Sequence, residues 1–518
     1  MDIIKLLETV SKNFPEKAAI IYKEKVINFL ELKEIVSKLS SSLKNLGIKR
    51  QDKIAVYLPN CPQYIYSYLS LWCLGVTVVP LDYMLTEDEL VSCLTHSEAR
   101  FLIARDKENL SLSSVKQRSP CLENIILISN NQQGYLSFEK ILNEGRGPCL
   151  DTKINDSDYS IIFYTSGTTG KPKGVLVSYK QLEAPAKHMR YFIKEFQEDE
   201  IEVAAVPFSH LGGLVYILIS LFWGVSLIIM ERFSPLDFLK NVERYRATSF
   251  FIVPSMYYAF LSLKELGNIN LSSLRWINCF GAPSSPEVLR RFRQYCPQAV
   301  FYHGWGMTET NAPTTAGFEK AESVGRPAPG FEIKIFSAEG GPLPDRQAGA
   351  TGGDDNDKEV PAGSVGEIVV RGWIVTDGYY KDPELTRETM RSGWFHTGDL
   401  GKFDEEGYLY IMGRRKEMIK VGGEIVFEPE IEEVIHRHPD ISEVAVIGVA
   451  DKLRGEVPKA FVVLKKDLRV KEEDLRQFCR QHLANFKIPH YFEFRDSLPK
   501  NRSGKIDKEF LRKEAQAK

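Results

Sequence analysis

The chain has 518 residues, with 67 basic and 69 acidic side chains and a formal net charge of -2. This length exceeds what one hydrophobic core normally organises, so at least two domains are expected. The balanced charge gives no reason to expect nucleic acid or an anionic membrane as the main partner. The eight cysteines form no close pair, which excludes a disulfide framework or a zinc site and favours a reducing cytosol.

The first eight residues mix acidic and apolar side chains, and they predict an amphipathic surface helix rather than a signal peptide. From about residue 50 to 330, short β-branched runs alternate with longer amphipathic stretches. Lys53–Tyr57 before Pro62–Leu74 is one such pair, and Phe250–Val253 before Ser255–Leu263 is another. This alternation predicts an α/β fold of several layers with mostly parallel sheets.

A loop rich in hydroxyl groups and glycines lies between two predicted strands, Asp158–Tyr164 and Val175–Ser178. Its residues are Thr165, Ser166, Gly167, Thr168, Thr169, Gly170, Lys171, Pro172, Lys173 and Gly174. Glycines let backbone N–H groups approach a polyphosphate, and hydroxyls and lysines can follow its charged oxygens. The Walker A pattern does not fit, because Pro172 stands where Ser or Thr is required. The sequence therefore predicts a different phosphate loop, with an ordinary solvated turn as the alternative.

The twenty residues Leu211–Met230 carry no charged side chain and are long enough to span a bilayer. Gly224 divides them into a helix-like half and a β-branched half. A buried helix followed by a buried strand is therefore the better prediction.

Between Ser337 and Gly366 the composition changes to turn residues and acids. It predicts an exposed, mobile loop, with a polar insertion at residues 340–363. Beyond Gly413 a compact unit of about a hundred residues is expected, a small α+β domain. Its predicted strands are Val444–Val449 and Lys459–Leu464, and its predicted helices are Glu428–His438 and Glu472–Ala484.

The ten-residue loop resembles, residue for residue, the signature of the adenylate-forming superfamily of acyl-CoA synthetases, luciferases and stand-alone adenylation domains. Further motifs follow in the family's order: Pro207-Phe208-Ser209-His210, Gly281-Ala282-Pro283, Tyr302–Glu309, Thr397-Gly398-Asp399, Gly413–Lys416 and Asn501–Lys505. The resemblance covers nearly the whole chain. It implies a large N-terminal domain, residues 1–413, that binds ATP and the acyl group. It also implies a small mobile lid, residues 414–518, with a hinge near Lys416.

The resemblance implies a ligase that uses ATP, Mg²⁺ and coenzyme A. Lys505 would bridge the carboxylate and the α-phosphate while the acyl-adenylate forms. Glu309 would bind Mg²⁺, and Thr308 would reach a phosphate oxygen. The other nucleotide contacts implied are the loop residues Thr165 to Lys171 and Lys173, then Gly281, Ala282, Pro283, Gly304, Trp305 and Gly306, with Asp399 and Arg414 at the ribose. Rotation of the lid would then bring Lys420, Gly422 and Gly423 to the pantetheine arm.

His210 lies where relatives place a gate between the ATP site and the acyl tunnel. Gly306 replaces the bulky Trp of acetate-using relatives, so a larger acyl group is favoured. The uncharged stretch Leu211–Phe222 indicates that this acyl group is apolar. An amino acid substrate is disfavoured, because the stretch has no carboxylate to pair with a substrate ammonium. Phe280 stands where a small residue is common, which leaves the chain length of the acid open.

The expected substrate is a medium- or long-chain fatty acid, and an aryl acid is an alternative. A second alternative keeps the adenylation step but loads the phosphopantetheine of a carrier protein. A ligand-binding homologue without catalysis is a further hypothesis, which the complete set of motifs disfavours. A membrane transporter is the last hypothesis, and it rests only on Leu211–Met230.

Overall fold

A computed structural model describes residues 2–128, 134–147, 153–165, 172–281, 286–317, 320, 322–337, 358–422, 424–465, 468, 470–500 and 506–517. Its helices are α1 (Ile3–Asn13), α2 (Phe29–Asn45), α3 (Pro62–Cys73), α4 (Glu87–Ser97), α5 (Leu112–Arg118), α6 (Phe138–Glu144), α7 (Glu183–Phe192), α8 (Leu211–Trp223), α9 (Pro235–Tyr245), α10 (Pro254–Leu261), α11 (Pro286–Arg293), α12 (Pro383–Thr389), α13 (Glu428–His436), α14 (Glu472–His482) and α15 (Lys508–Ala517).

The strands are β1 (Ala18–Tyr22), β2 (Lys25–Asn28), β3 (Lys53–Tyr57), β4 (Thr77–Pro80), β5 (Phe101–Ala104), β6 (Asn124–Leu127), β7 (Leu136–Ser137), β8 (Tyr159–Thr165), β9 (Lys173–Ser178), β10 (Ile201–Ala204), β11 (Ser226–Ile229), β12 (Ser249–Ile252), β13 (Trp276–Cys279), β14 (Val300–Met307), β15 (Asn311–Gly317), β16 (Arg326–Pro327), β17 (Phe331–Phe336), β18 (Gly366–Gly372), β19 (Met390–Arg391), β20 (Trp394–Phe403), β21 (Leu409–Arg414), β22 (Met418–Val421), β23 (Glu424–Phe427), β24 (Ile441–Asp451), β25 (Gly455–Leu464) and β26 (Tyr491–Phe494).

The chain forms two compact units. The first comprises Met1–Ala321, Pro327–Glu332 and Arg371–Met390, and the second comprises Glu322–Arg326, Ile333–Val370 and Arg391–Lys518. The first unit contains a seven-stranded sheet in the order β7-β6-β5-β3-β4-β8-β9 and a larger sheet in the order β16-β15-β14-β13-β12-β10-β11-β1-β2. The predicted boundary at residue 413 stays a prediction.

Most strand pairs in the first unit are parallel, as the sequence predicts. β4, β3, β5 and β6 pair in parallel, and so do β11, β10, β12, β13 and β14. Most residues of these strands are buried on both faces of the sheet, and the core strands β4 and β5 are completely buried. The predicted class, α/β with mostly parallel sheets, is confirmed.

The long uncharged stretch forms the buried helix α8 and then the strand β11, as predicted. Gly224 ends the helix with φ +69°, in the left-handed region that glycine adopts without strain. A side chain there would collide with the ring of Phe14, because a Cβ would lie 2.6 Å from its Cδ2. Among the described helices, none combines the length and apolar character needed to cross a membrane.

The second unit contains two sheets of antiparallel character. One has the order β17-β18-β20-β19 with β21 beside β20, and the other has the order β23-β22-β25-β24 with β26 beside β25. The predicted strands of the C-terminal region lie inside the longer β24 and β25, and the predicted helices correspond to α13 and α14. Most of the polar insertion, residues 338–357, lies outside the described residues.

Candidate active site

The predicted phosphate loop connects the two strands of an antiparallel hairpin, β8 and β9. Thr165 at the end of β8 pairs with Lys173 at the start of β9, and both are half-buried. The hairpin therefore fixes both ends of the loop. The other predicted site residues of the loop, and four from elsewhere, lie outside the described residues: Ser166, Gly167, Thr168, Thr169, Gly170, Lys171, Ala282, Pro283, Gly423 and Lys505.

A short stretch before α12, residues 374–380, runs beside β9, and we call it the brace segment. The N–H of Tyr380 donates to the carbonyl of Gly174 over 2.7 Å, and the N–H of Leu176 donates to the carbonyl of Gly378 over 3.2 Å. Gly174 has no room for a side chain, because a Cβ would lie 2.8 Å from a neighbouring methyl group. The brace segment thus packs closely against the strand that leaves the phosphate loop.

Glu309 lies in a turn after β14 and is only 8% exposed. The N–H of Thr310 donates to the carbonyl of Met307 over 3.1 Å and closes this turn. The brace segment holds Glu309 at two points. The N–H of Thr376 donates to its carbonyl over 2.8 Å, and the phenol of Tyr379 donates to its Oε1 over 2.9 Å. Burial and the nearby carboxylate raise the pKa of Tyr379, so the phenol keeps its proton.

The carboxylate of Glu309 fits one mode of magnesium binding. Within the described part of the chain, no group of three or more His, Cys, Asp or Glu side chains is arranged to hold a metal ion. Mg²⁺ commonly takes one or two protein carboxylates and completes its shell with water and substrate phosphates. Glu309 is buried and the preceding residue, Thr308, is half-buried, and a single buried carboxylate suits an ion that arrives with ATP.

Three predicted nucleotide contacts lie in succession on β14. Trp305 is buried, while Gly306 is exposed. Gly304 brings the backbone close to β15, because a Cβ there would lie 2.8 Å from the carbonyl oxygen of Thr314. Gly281, just beyond β13, adopts φ +86°, which favours glycine. The backbone geometry explains Gly281 and Gly304, whereas stacking of adenine on Trp305 stays a prediction.

His210 is the N-cap residue of α8, and its imidazole has a carboxylate partner. Nε2 lies 3.1 Å from Oδ2 of Asp82, a residue that follows β4. The other oxygen of Asp82 accepts the N–H of Met84 over 2.8 Å, which holds the carboxylate in place. Because the His210 side chain is 41% exposed, it is oriented without being enclosed.

Phe280 packs its ring directly against the start of α8. A Cβ on Gly212 would lie 2.6 Å from Cε2 of this ring, so the ring fills the space that a side chain on Gly212 would take. The ring also meets Phe251 edge to face, with 6.1 Å between centroids. The bulky residue at position 280 therefore depends on the small one at position 212.

In the second unit, Asp399 and Arg414 are neighbours on the paired strands β20 and β21. The guanidinium Nε lies 3.0 Å from Oδ1 of Asp399. The aspartate is buried, whereas the Arg414 side chain is 48% exposed. The two predicted ribose contacts are therefore brought together, although 15 residues separate them in sequence.

A buried glutamate supports the loop that carries Asp399. The N–H of Gly398 donates to Oε1 of Glu367 over 3.2 Å, and Nδ1 of His396 lies 3.1 Å from Oε2. Burial opposes ionisation of Glu367, but His396, Gly398 and Arg415 together hold its pKa below the usual value. An ionised Glu367 thus fixes the backbone directly before the predicted ribose ligand.

The predicted pantetheine segment lies on an exposed hairpin. Val421 of β22 pairs with Glu424 of β23, so Gly422 lies in the turn between the two strands. Gly422 adopts φ +60°, as tight hairpin turns of this kind require. The backbone conformation at position 422 therefore favours glycine whether or not a pantetheine arm passes there. The side chain of Lys420 is exposed. The predicted hinge, Lys416, lies in the short 3-10 helix Arg415–Glu417.

The segment that carries the predicted catalytic lysine is anchored on both sides. Lys500 and Ile506, the described residues on either side of positions 501–505, form an antiparallel bridge. Beyond these positions, α15 is tied to the buried Glu428. Nζ of Lys508 lies 3.1 Å from its Oε2, and Nη2 of Arg512 lies 2.7 Å from its Oε1.

Comparison with known proteins agrees with these features. A family model for AMP-binding enzymes matches residues 7–351, and the model for their C-terminal domain matches residues 430–505. The chain belongs to the AMP-binding enzyme family. It is 32% identical to a long-chain-fatty-acid–CoA ligase of Bacillus subtilis (strain 168), over 97% of this chain and 92% of that protein.

Other members of the AMP-binding enzyme family are similar over nearly their whole length. A crotonobetaine/carnitine–CoA ligase of Escherichia coli O9:H4 (strain HS) is 29% identical over 94% of this chain and 93% of that protein. The structure of the anthranilate–CoA ligase AuaEII with anthranoyl-AMP aligns with a TM-score of 0.89 and 26% identity, covering 99% and 97% of the two chains. These findings confirm the predicted family and enzyme class, an AMP-forming acid–thiol ligase.

Four residues of this AMP-binding enzyme that support the candidate site were missed by the sequence analysis: Asp82, Glu367, Tyr379 and Glu428. Each lies far in sequence from the residue it contacts, or on a different strand. Glu367 follows a glycine and precedes a β-branched run, which looks like an ordinary strand start. The available signal was an acidic residue at the start of an apolar strand. Because burial of an unpaired charge is costly, such a residue is expected to have a partner.

Proposed function

We propose that this protein activates a medium- or long-chain fatty acid with ATP and transfers the acyl group to coenzyme A. A carboxylate is a poor acyl donor, because its leaving group would be oxide. Attack of the carboxylate on the α-phosphate releases pyrophosphate and gives an acyl-adenylate, whose leaving group is AMP. The thiol of coenzyme A then displaces AMP and forms the thioester.

One observation supports this function most strongly. The brace segment contacts the strand after the phosphate loop through Gly174 and Leu176, and it contacts Glu309 through Thr376 and Tyr379. One short piece of chain therefore contacts both the strand that follows the phosphate loop and a buried carboxylate. That arrangement suits a triphosphate with a divalent ion bound to it.

The residues would divide the work by charge. Thr165, Lys173 and the loop between them would hold the phosphates. Mg²⁺ bound by Glu309 and phosphate oxygens would offset the negative charge that opposes attack by the substrate carboxylate. Lys505 would stabilise the charge that develops at the α-phosphate. Asp399 would accept hydrogen bonds from the ribose.

Two observations support a fatty acid as the substrate: the start of α8, and the similarity to a Bacillus subtilis protein that is named a long-chain-fatty-acid–CoA ligase. The helix is apolar along its length, and Gly306 leaves space beside the site. The anthranilate–CoA ligase keeps an aryl acid as the alternative substrate. A carrier-protein phosphopantetheine is the alternative acceptor. We place the reaction in the cytosol, where the cysteines stay reduced.

Acid-dependent exchange of pyrophosphate into ATP tests the proposal. Saturated fatty acids from two to eighteen carbons, benzoate and anthranilate would be compared at equal concentration, without coenzyme A. The expected result is strong exchange with fatty acids longer than acetate. Adding coenzyme A should then yield the thioester. Exchange without any thioester would reject the proposed acceptor, and exchange confined to aryl acids would reject the proposed substrate.

A further inference from the structure

Tyr379 and Glu309 form a hydrogen-bonded pair in the candidate site, and Tyr379 belongs to none of the motifs described above. The phenol oxygen lies 2.9 Å from Oε1 of the carboxylate, and both residues are only 8% exposed. A hydrogen bond from a buried donor to a buried carboxylate is stronger than one at the surface, because water does not compete for either group.

The backbone strengthens the same link. The N–H of Thr376 donates to the carbonyl of Glu309 over 2.8 Å, and the hydroxyl of Thr376 donates to the carbonyl of Leu176 over 2.7 Å. The brace segment thus fixes the main chain of Glu309 as well as one of its carboxylate oxygens. It does so from a position that is itself tied to β9.

We propose that Tyr379 is a positioning residue for the metal ion, and that it acts by holding the Glu309 carboxylate in one rotation. This inference rests on the proposed role of Glu309. A carboxylate that turns freely must lose that freedom when it binds an ion, and the phenol bond removes that cost beforehand. Loss of this hydrogen bond should lower the affinity for the metal ion and leave the affinity for the nucleotide nearly unchanged.

The next residue along the chain supplies a matched control. The phenol of Tyr380 donates to Oε2 of Glu98 over 3.1 Å, at the end of α4. Glu98 is exposed and also pairs with Lys381. The substitutions Tyr379→Phe and Tyr380→Phe remove the same oxygen from adjacent residues, but only the first touches Glu309.

The experiment titrates Mn²⁺ into the full-length protein with a non-hydrolysable ATP analogue and follows free Mn²⁺ by electron paramagnetic resonance. We expect Tyr379→Phe to lower the affinity for Mn²⁺ about tenfold, which is a typical effect of losing a hydrogen bond to a charged group. Tyr380→Phe should match the wild type. Affinity for the analogue without metal, measured by calorimetry, should be the same in all three proteins.

A double variant separates positioning from general damage to the fold. If Tyr379 acts through Glu309, the double variant should bind Mn²⁺ as tightly as the single variant Glu309→Gln does. The proposal would be overturned if the losses of Mn²⁺ affinity in the two single variants were additive in the double variant. It would also be overturned if Glu309→Gln lowered the Mn²⁺ affinity while Tyr379→Phe kept the wild-type value. Wild-type affinity in Glu309→Gln alone would overturn the proposed metal ligand, and the role of Tyr379 with it.

Discussion

Arg414 and Asp399 face each other across the β20–β21 hairpin, with 3.0 Å between the guanidinium Nε and Oδ1. The ion pair orients a buried carboxylate while the arginine itself stays half in solvent. Glu367 holds the preceding backbone through the N–H of Gly398. The predicted ribose ligand is therefore fixed from two sides.

Asp399→Asn should raise the KM for ATP roughly 10- to 100-fold, because an amide replaces a charged hydrogen-bond acceptor. The fold should survive, since the two side chains have the same shape. Steady-state kinetics with varied ATP measure the effect. The control is Glu405→Gln, an exposed residue in the turn of the same hairpin. An unchanged KM in Asp399→Asn would remove this residue from the nucleotide site.

Lys505→Ala should lower acid-dependent pyrophosphate exchange by on the order of 100-fold or more, as for loss of one transition-state contact. Transfer from preformed acyl-adenylate to coenzyme A should be spared, because this lysine acts only in the first half-reaction. Lys513→Ala serves as the control, since Lys513 lies on α15 with its side chain 73% exposed. Equal exchange in both variants would reject the assignment.

Phe280→Ala should shift the preference toward longer or bulkier acids. The ring fills the space over Gly212, and its removal opens room at the start of α8. Relative kcat/KM for the largest accepted acid should rise by about tenfold or more, because loss of a phenyl ring frees more space than the single methylene that already changes discrimination by about this factor. Pyrophosphate exchange across a series of chain lengths measures the shift. An unchanged profile would place this ring outside the acyl site.

Gly212→Ala gives the reciprocal test. Its new methyl group would collide with the Phe280 ring. We expect reduced activity in this single variant and recovery when Phe280→Ala is added, because the two residues share one space. No recovery would show that they do not interact in this way.

The pH dependence of stability should carry the signature of Glu202. Glu202 is completely buried on β10, and the hydroxyl of Ser249 contacts both its Oε1, at 3.1 Å, and Oε2 of Glu200, at 3.0 Å. A serine hydroxyl has one proton and can donate only one of these bonds. Glu200 also meets Arg275 and Trp276, so Glu202 is the carboxyl that keeps its proton. Burial and the charge of Glu200 raise the pKa of Glu202 well above its ordinary value.

A raised carboxyl pKa means that the folded state binds a proton that the unfolded state releases. Stability from this group is full below the ordinary carboxyl pKa and declines as pH rises toward the folded value, by about 1.4 kcal/mol per pH unit. Glu202→Gln should remove this decline, so its advantage over the wild type should grow between pH 5 and 8. Urea unfolding at several pH values measures it. A constant difference would show that Glu202 is ionised in the fold.

Much of the fold could be predicted from the sequence. The alternation of β-branched and amphipathic runs predicts α/β layers with mostly parallel strands, and β3 has the predicted bounds. Gly224 marks the change from α8 to β11, because glycine ends a helix in the left-handed region. The order of the motifs identifies the family, since each motif combines residue types with a local backbone geometry.

The tertiary structure decided which distant residues support the site. Tyr379 reaches Glu309 across 70 residues and Asp82 reaches His210 across 128, distances that no local pattern encodes. Glycines and hydroxyls identify a phosphate loop because their conformational freedom and hydrogen-bonding groups are properties of short segments. The orientation of a carboxylate is different, because it depends on packing and on the few donors that folding brings within hydrogen-bond distance.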